Sequence, residues 1–217
     1  MATHVADSVA GLEVPDTALA RDVTEYVRAA EDDLLFDHSR RVYFFGAMHG
    51  RRLGLTPDLE LLYAGAMFHD VGLTEPHRST SVLRFEVDSA NLARDFLIDR
   101  GAEPAAARLV WLGIALHTTP GVPEFLEPEI ALVSAGVETD VLGFHREAMP
   151  AEALDAVTAA HPRPDFKRRI LAAFADGMRA RPETTFGTVN ADVLAHADPS
   201  YVRRDFVEVI WKSGWPE

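Results

Sequence analysis

The sequence predicts an all-helical fold, and three observations carry that reading. Apolar residues recur at intervals of three and four along most of the chain, Pro and Gly fall where those stretches begin and end, and alternating period-two segments between Gly-rich turns are scarce. At 217 residues the chain suits one domain able to bury a sizeable core, and no internal repeat, heptad run or low-complexity linker divides it.

The first stripe is His38, Val42, Phe45 and His49, on a helix that runs to about Leu53 and stops at Gly54. The next stretch, "TPDLELLYAGAMFHD", offers Thr56 as N-cap, Pro57 at the first helical position and Glu60 for a capping box; its stripe is Leu59, Leu62, Ala66 and His69. A third helix follows in "FEVDSANLARDFLIDRG", where Glu86, Ala90, Ala93 and Leu97 share a face and Gly101 supplies the stop. Pro104 opens a fourth with Val110, Gly113, Ile114 and His117 in line, broken by "TTPGVPEF", and Pro128 opens a fifth with Ile130, Val133, Val137 and Asp140 aligned. Further helices are expected over about 151–160, 164–180, 190–196 and 200–211, with 143–163 the least regular join. The amphipathic "YVRRDFVEVIWKSGW" either closes the core or pairs with a second subunit in a homo-oligomer; core closure is the reading adopted.

Composition excludes several functions. A formal net charge of -13 disfavours a phosphate-binding surface, so nucleic acid is not an expected partner. The basic clusters Arg51-Arg52, Lys167-Arg168-Arg169 and Arg203-Arg204 read as solvated helix faces. With no cysteine there is no disulfide, thiolate zinc site or cysteine nucleophile, so any metal must sit on His and carboxylate. No basic-then-apolar leader and no apolar run of roughly 18 residues occurs, which predicts a cytoplasmic protein without a membrane partner.

Four of the stripes carry a His or Asp at or near one end: His38, His69 with Asp70, His117, and Asp140. Burying that many ionisable groups around one core is costly unless they pair or coordinate a metal, and facing helices are where such sites are built. Imidazole and carboxylate suit divalent zinc, iron, manganese or nickel with positions left for water. The order H…HD…D, in His38, His69-Asp70 and Asp140, resembles the HD-domain metal-dependent hydrolase superfamily over about residues 30–145, with helices 146–217 packing on that core. The resemblance implies an all-helical single-domain bundle in which those four residues bind the metal. Dinuclear members have further histidines between the HD pair and the last Asp, and some carry a Lys soon after it. Here the interval holds only His77 and His117 and no such Lys, which implies one metal, zinc above the other ions.

The segments "DHSRRVYFFG", "FHDVGLT", "RFEVDSAN", "IALHTT" and "TTFGTVNADVL" look like the cyanamide hydratase branch, whose members add water across a nitrile with one zinc. That likeness makes a small molecule the expected substrate and places His117 and Thr119 in the reaction pocket, with Glu75 a further candidate for proton transfer; His77 and Thr80 share its loop. The alternative is a phosphohydrolase of a nucleotide or other phosphomonoester, which would need cations such as Arg78 or Arg84. A non-catalytic metal- or ligand-binding module is the third reading. His49 shares the His38 stripe but lies roughly 16 Å further along the helix, too far to share an ion, and is expected in the core. Arg84, Glu86 and Asp88 are expected to pair around the third helix start, and His4, His145, His161 and His196 to lie at the surface.

Overall fold

The computed structural model describes residues 8–215. A two-residue hairpin, β1 (Ser8–Val9) with β2 (Leu12–Glu13), precedes a helix not expected from the sequence, α1 (Ala18–Ala30). Its cause is local: the Thr17 side chain accepts from the Ala20 amide at 3.0 Å, and Ala20, Val23 and Val27 form a buried stripe. Helix α2 (Asp33–Leu53) is capped by Asp32 and ends at Gly54 in the left-handed conformation, as the sequence predicts. Helix α3 (Leu59–Phe68) begins later than expected. Its cap is Asp58, not Thr56, because the Asp58 carboxylate reaches the amides of both Glu60 and Leu61, and Glu60 turns away to Thr17.

After a 3₁₀ turn at Val71–Leu73 come the short α4 (His77–Thr80), α5 (Phe85–Asp99), α6 (Pro104–Leu116) and α7 (Pro128–Val137). All four members of the expected stripes on α5 and α6 are buried. The end of α7 departs from a regular helix by widening into a π turn, Glu138–Leu142, that closes at Gly143. Helices α8 (Ala151–Ala160), α9 (Phe166–Met178), α10 (Asn190–Ala197) and α11 (Phe206–Trp211) complete the described chain. No helix among the described residues is long and apolar enough to cross a membrane.

Two close approaches bring the polar ends together. A Cβ on Gly136 would lie 2.2 Å from the Val42 carbonyl oxygen, so α7 crosses α2 backbone against backbone. A Cβ on Gly72 would lie 2.2 Å from the Phe85 carbonyl, so the turn after His69-Asp70 is pressed onto the start of α5. The C-terminal helices then cover that end of the bundle. Phe166, Ile170, Met178 and Leu194 pack with Leu34, Leu35, Leu73 and Phe85, and Arg181 donates to the carbonyls of Gly72 and Leu83 and pairs with Asp88.

Core closure by the last segment is corrected by the structure. Val202, Phe206, Val207, Ile210 and Trp211 are exposed, and Phe206 meets one ring, Phe186, at 6.3 Å. Tyr201 packs against the core cluster, and the six-residue α11 lies beyond it.

Candidate metal centre

Each donor owes its position to a helix. His38 stands in the first half of α2, while His69 and His117 each occupy the C-cap position of their helix, α3 and α6. Helix ends leave carbonyls without intrahelical partners. The two cap histidines use them: His69 Nδ1 lies 2.7 Å from the Ala66 carbonyl and His117 Nδ1 lies 2.6 Å from the Ile114 carbonyl. A carbonyl only accepts, so both rings carry a proton on Nδ1, and in the neutral ring Nε2 is then the free lone pair. His38 reaches the same state by another route, with its Nδ1 donating to Asp140 Oδ2 at 2.7 Å. Fixing one ring nitrogen with an oxygen acceptor is how proteins aim the other at a metal.

The three lone pairs and one carboxylate converge. His38 Nε2 and His69 Nε2 are 3.2 Å apart, and Asp70 Oδ2 stands 3.6 Å from the first and 3.4 Å from the second. Ligands bonded about 2.0–2.1 Å from one tetrahedral ion are separated by about 3.3 Å, so the three edges match one face of such a site. Both Asp70 oxygens are buried without a hydrogen-bond partner, and so is His117 Nε2, which lies 3.6 Å from Asp70 Oδ1. Two imidazole nitrogens 3.2 Å apart call for a proton or a metal ion between them. The donor atoms of His38, His69 and Asp70 lie within 4.8 Å of one another, close enough that they could hold a divalent ion.

The electrostatics follow from the same geometry. Burial pushes the Asp70 carboxyl up, but His69, His38 and His117 outweigh it and hold the group down at about 2. Burial pulls His117 down to about 4, helped by His69. For His69 the pull of burial is overcome by Asp70, and its value rises.

Aromatic rings wall the cluster, with Phe166 5.5 Å from the His38 ring and Phe85 5.6 Å from the His117 ring. Two buried carboxyl groups complete the surroundings. Glu86 Oε1 accepts from Arg84 at 2.8 Å, from Asn190 at 2.8 Å and from Thr118, and its charge is felt at His117. Glu31, the C-cap of α1, is held well above the usual carboxylate range by burial and by Asp70; its Oε1 has no hydrogen-bond partner.

The expected site residues therefore divide. His38, His69 and Asp70 meet, and His117 stands beside them. Asp140, expected as a fourth ligand, is near but outside this three-donor cluster. It lies behind the Nδ1 edge of His38, and both its oxygens are occupied by Arg41, through Nε and Nη2 at 2.8 Å each. Burial raises the Asp140 carboxyl, but His38 and Arg41 hold it far below the carboxylate range.

Glu75, expected as a candidate for proton transfer, does not join the cluster. It is exposed outside the site, bound to Arg78 and Ser79. His77 is half-buried 3.9 Å from Asp88, and Thr80 is exposed with its hydroxyl on the Pro76 carbonyl. Thr119 makes no side-chain hydrogen bond among the described residues, whereas the adjacent Thr118 is the one engaged with Glu86 and Arg84.

His49 is buried on Thr139 at 2.9 Å, in the core as expected. His145 and His196 are exposed, but His161 is partly buried, stacked on Phe44 and 3.2 Å from Asp37. His4 lies outside the described residues. Arg84 pairs with Glu86 as expected, while Asp88 pairs with Arg181.

Sequence reasoning missed Glu31, Thr118 and Arg41. Only Arg41 had a signal, lying three residues after His38 on the same helix face.

An all-helical bundle with a buried His-His-Asp cluster at the ends of its helices defines a metal-binding protein class. The HD domain family model matches residues 35–176, well over half the chain, and the protein belongs to that family, whose members are generally metal-dependent hydrolases. The matched span includes His38, His69, Asp70, His117 and Asp140 and excludes Glu31, Arg181 and Asn190. Comparison with curated proteins finds no match.

Proposed function

We propose that the protein is a metal-dependent enzyme that adds water to a small uncharged electrophile, and that hydration of a nitrile such as cyanamide is the reaction its site supports best. The observation that carries this is His117 Nε2, a buried, unprotonated and unpartnered nitrogen beside the ligand face. His38 and His69 through Nε2 and Asp70 through Oδ2 would hold the ion, zinc by this donor set, with iron, manganese and nickel as alternatives. When bound, the ion supplies a water acidified toward neutrality and a positive field for developing negative charge.

The remaining work belongs to the chain. His117 accepts a proton from the attacking water at Nε2 while Ile114 keeps its Nδ1 proton in place. It then returns that proton to the nitrile nitrogen, so that OH and H have been added across the carbon-nitrogen triple bond. Tautomerisation gives the amide, which is urea when the substrate is cyanamide. Glu86, fixed by Arg84, Thr118 and Asn190, favours the imidazolium that forms in between.

Phe85 and Phe166 suit a small apolar-walled pocket. A phosphomonoester fits these surroundings less well, because Glu86 adds a carboxylate where a phosphate would call for cations.

Elemental analysis of protein purified without added metal, followed by a urea assay with cyanamide, tests the reading. The expected result is about one divalent ion per chain and urea formation that falls about 10²-fold or more in His117→Ala with metal content unchanged. No urea from the metal-loaded protein, together with phosphate release from a nucleotide, would establish the phosphohydrolase instead.

A further inference from the structure

A second polar recess lies on the other side of His38. It has a volume of about 320 Å³ and is lined by Arg146, Arg163, Lys167, Thr158, Asp140 and Asp155. The two ring nitrogens of His38 separate it from the metal centre, because Nδ1 faces Asp140 on the recess side and Nε2 faces His69 and Asp70.

Three cations converge here in a chain whose net charge is -13. The side chains of Arg146 and Lys167 form no hydrogen bond or ion pair among the described residues. Arg163 is held more tightly. Its Nη2 donates to the Asp140 backbone carbonyl, and its Nε lies 3.0 Å from Asp140 Oδ1 but at an angle that makes no hydrogen bond, so a buried N–H is left without an acceptor.

The anionic groups on the walls do not cancel this charge. Asp140 is already matched by Arg41 and by the His38 N–H, and only the exposed Asp155 remains. Burial, with smaller contributions from the neighbouring Arg41 and Arg146 cations, pushes the Arg163 guanidinium down against the pull of Asp140.

We propose that this recess binds a phosphate group, carried by a small phosphate ester or as the free ion, in the fork formed by Arg146, Arg163 and Lys167. Guanidinium forks and a point-charge ammonium are the donor set that phosphate oxygens take. The volume falls at the lower end of small-molecule sites, about 300–1,000 Å³, which leaves room for a short carbon skeleton behind the phosphate. The bound group does not reach the metal centre, so it acts as a ligand distinct from the reacting substrate.

Titration calorimetry on the full chain, with inorganic phosphate and with glycerol 3-phosphate at constant ionic strength and chloride as control, tests the site. One saturable event is expected, weakened about tenfold or more in Lys167→Ala and in Arg146→Ala, the loss of one charge-assisted contact. Arg146→Lys and Lys167→Arg should bind within about threefold of the native chain, which separates loss of charge from loss of fold. Asp70→Asn should bind phosphate as the native chain does. Tighter binding of the ester assigns the site to a phosphorylated metabolite, and equal binding assigns it to free phosphate. The proposal is overturned if neither probe binds saturably, if the two alanine variants bind unchanged, or if Asp70→Asn abolishes binding and so places the anion at the metal centre.

Discussion

Replacing Asp140 by Asn separates a ligand from a residue that aims one. The side chain is 1% exposed and receives His38 Nδ1 at 2.7 Å and two Arg41 contacts at 2.8 Å. Two losses follow. Arg41, itself 0% exposed at the side chain, loses its counter-charge, and breaking a buried ion pair costs about 3–5 kcal/mol. Asn keeps one acceptor oxygen, so the lower end applies, and about 3 kcal/mol in a chain of 217 residues lowers Tm by about 6–12 °C. Metal affinity falls separately. Losing the partner of a ligating imidazole costs about 10–100-fold, equivalent to about 1.4–2.8 kcal/mol, because His38 remains but its tautomer and angle are no longer fixed. The assay is thermal unfolding of the metal-stripped protein beside zinc competition against a chromophoric chelator, run on Asp140→Asn and Asp70→Asn together. Equal loss of zinc in the two variants would refute the placement of Asp140 behind His38 and make it a direct ligand. An unchanged Tm in the stripped protein would refute the dependence of Arg41 on it.

Four other outcomes follow from named contacts. Turnover should fall in Thr118→Val, which removes a donor to Glu86, and stay near native in Thr119→Val and Glu75→Ala; the urea assay with metal content measured alongside checks this set. Burial and Asp70 raise the Glu31 carboxyl, so the folded state keeps its proton while the unfolded chain loses it above about pH 4.5. Native stability is therefore eroded as pH rises above about 4.5, and Glu31→Gln should match the native Tm at pH 4 and exceed it as pH rises beyond that; parallel curves would refute this. Asp70 acts with the opposite sign, since its value of about 2 gives stability above pH 4 that is lost on acidification, and Asp70→Asn should flatten the acid limb of the metal-stripped protein. Gly136→Ala should destabilise by several kcal/mol in chemical denaturation, because its Cβ would meet the Val42 carbonyl oxygen at 2.2 Å, a contact only backbone movement relieves.

The bundle was legible because α2, α5 and α6 bury faces whose spacing is visible in one dimension and whose limits are marked by Gly54, Gly101 and Pro104. Helix α1 had the same marks, a Thr17 cap and the Ala20, Val23, Val27 stripe, although the sequence reading did not include it. What no spacing rule encodes is which chain segments lie opposite each other. Thr118 and Glu86 are 32 residues apart and Asn190 lies 104 from Glu86, so their network exists only once α5, α10 and the end of α6 have met. The C-terminal stripe was read correctly as amphipathic but assigned to the wrong surroundings, since amphipathicity says that a face is apolar and leaves open what covers it.

Asp140 shows where one-dimensional reading of a site stops. Its alignment with Ile130, Val133 and Val137 assumes a turn of 3.6 residues, and that turn persists only to Val137. Over Glu138–Leu142 the helix widens, and the count that put Asp140 on the inner stripe no longer fixes its direction. The carboxylate then meets the nearest group that needs a negative charge, which is Arg41, one turn after His38 on α2. Paired on both oxygens, it has little left with which to ligate a metal, yet it still accepts the His38 Nδ1 proton. The interaction with His38 thus survives the change of register, while the side of the imidazole on which it acts is reversed. An H…HD…D pattern can accordingly place every residue near one centre and leave the last one's contact open, because proximity to a histidine does not say which of its two nitrogens is met.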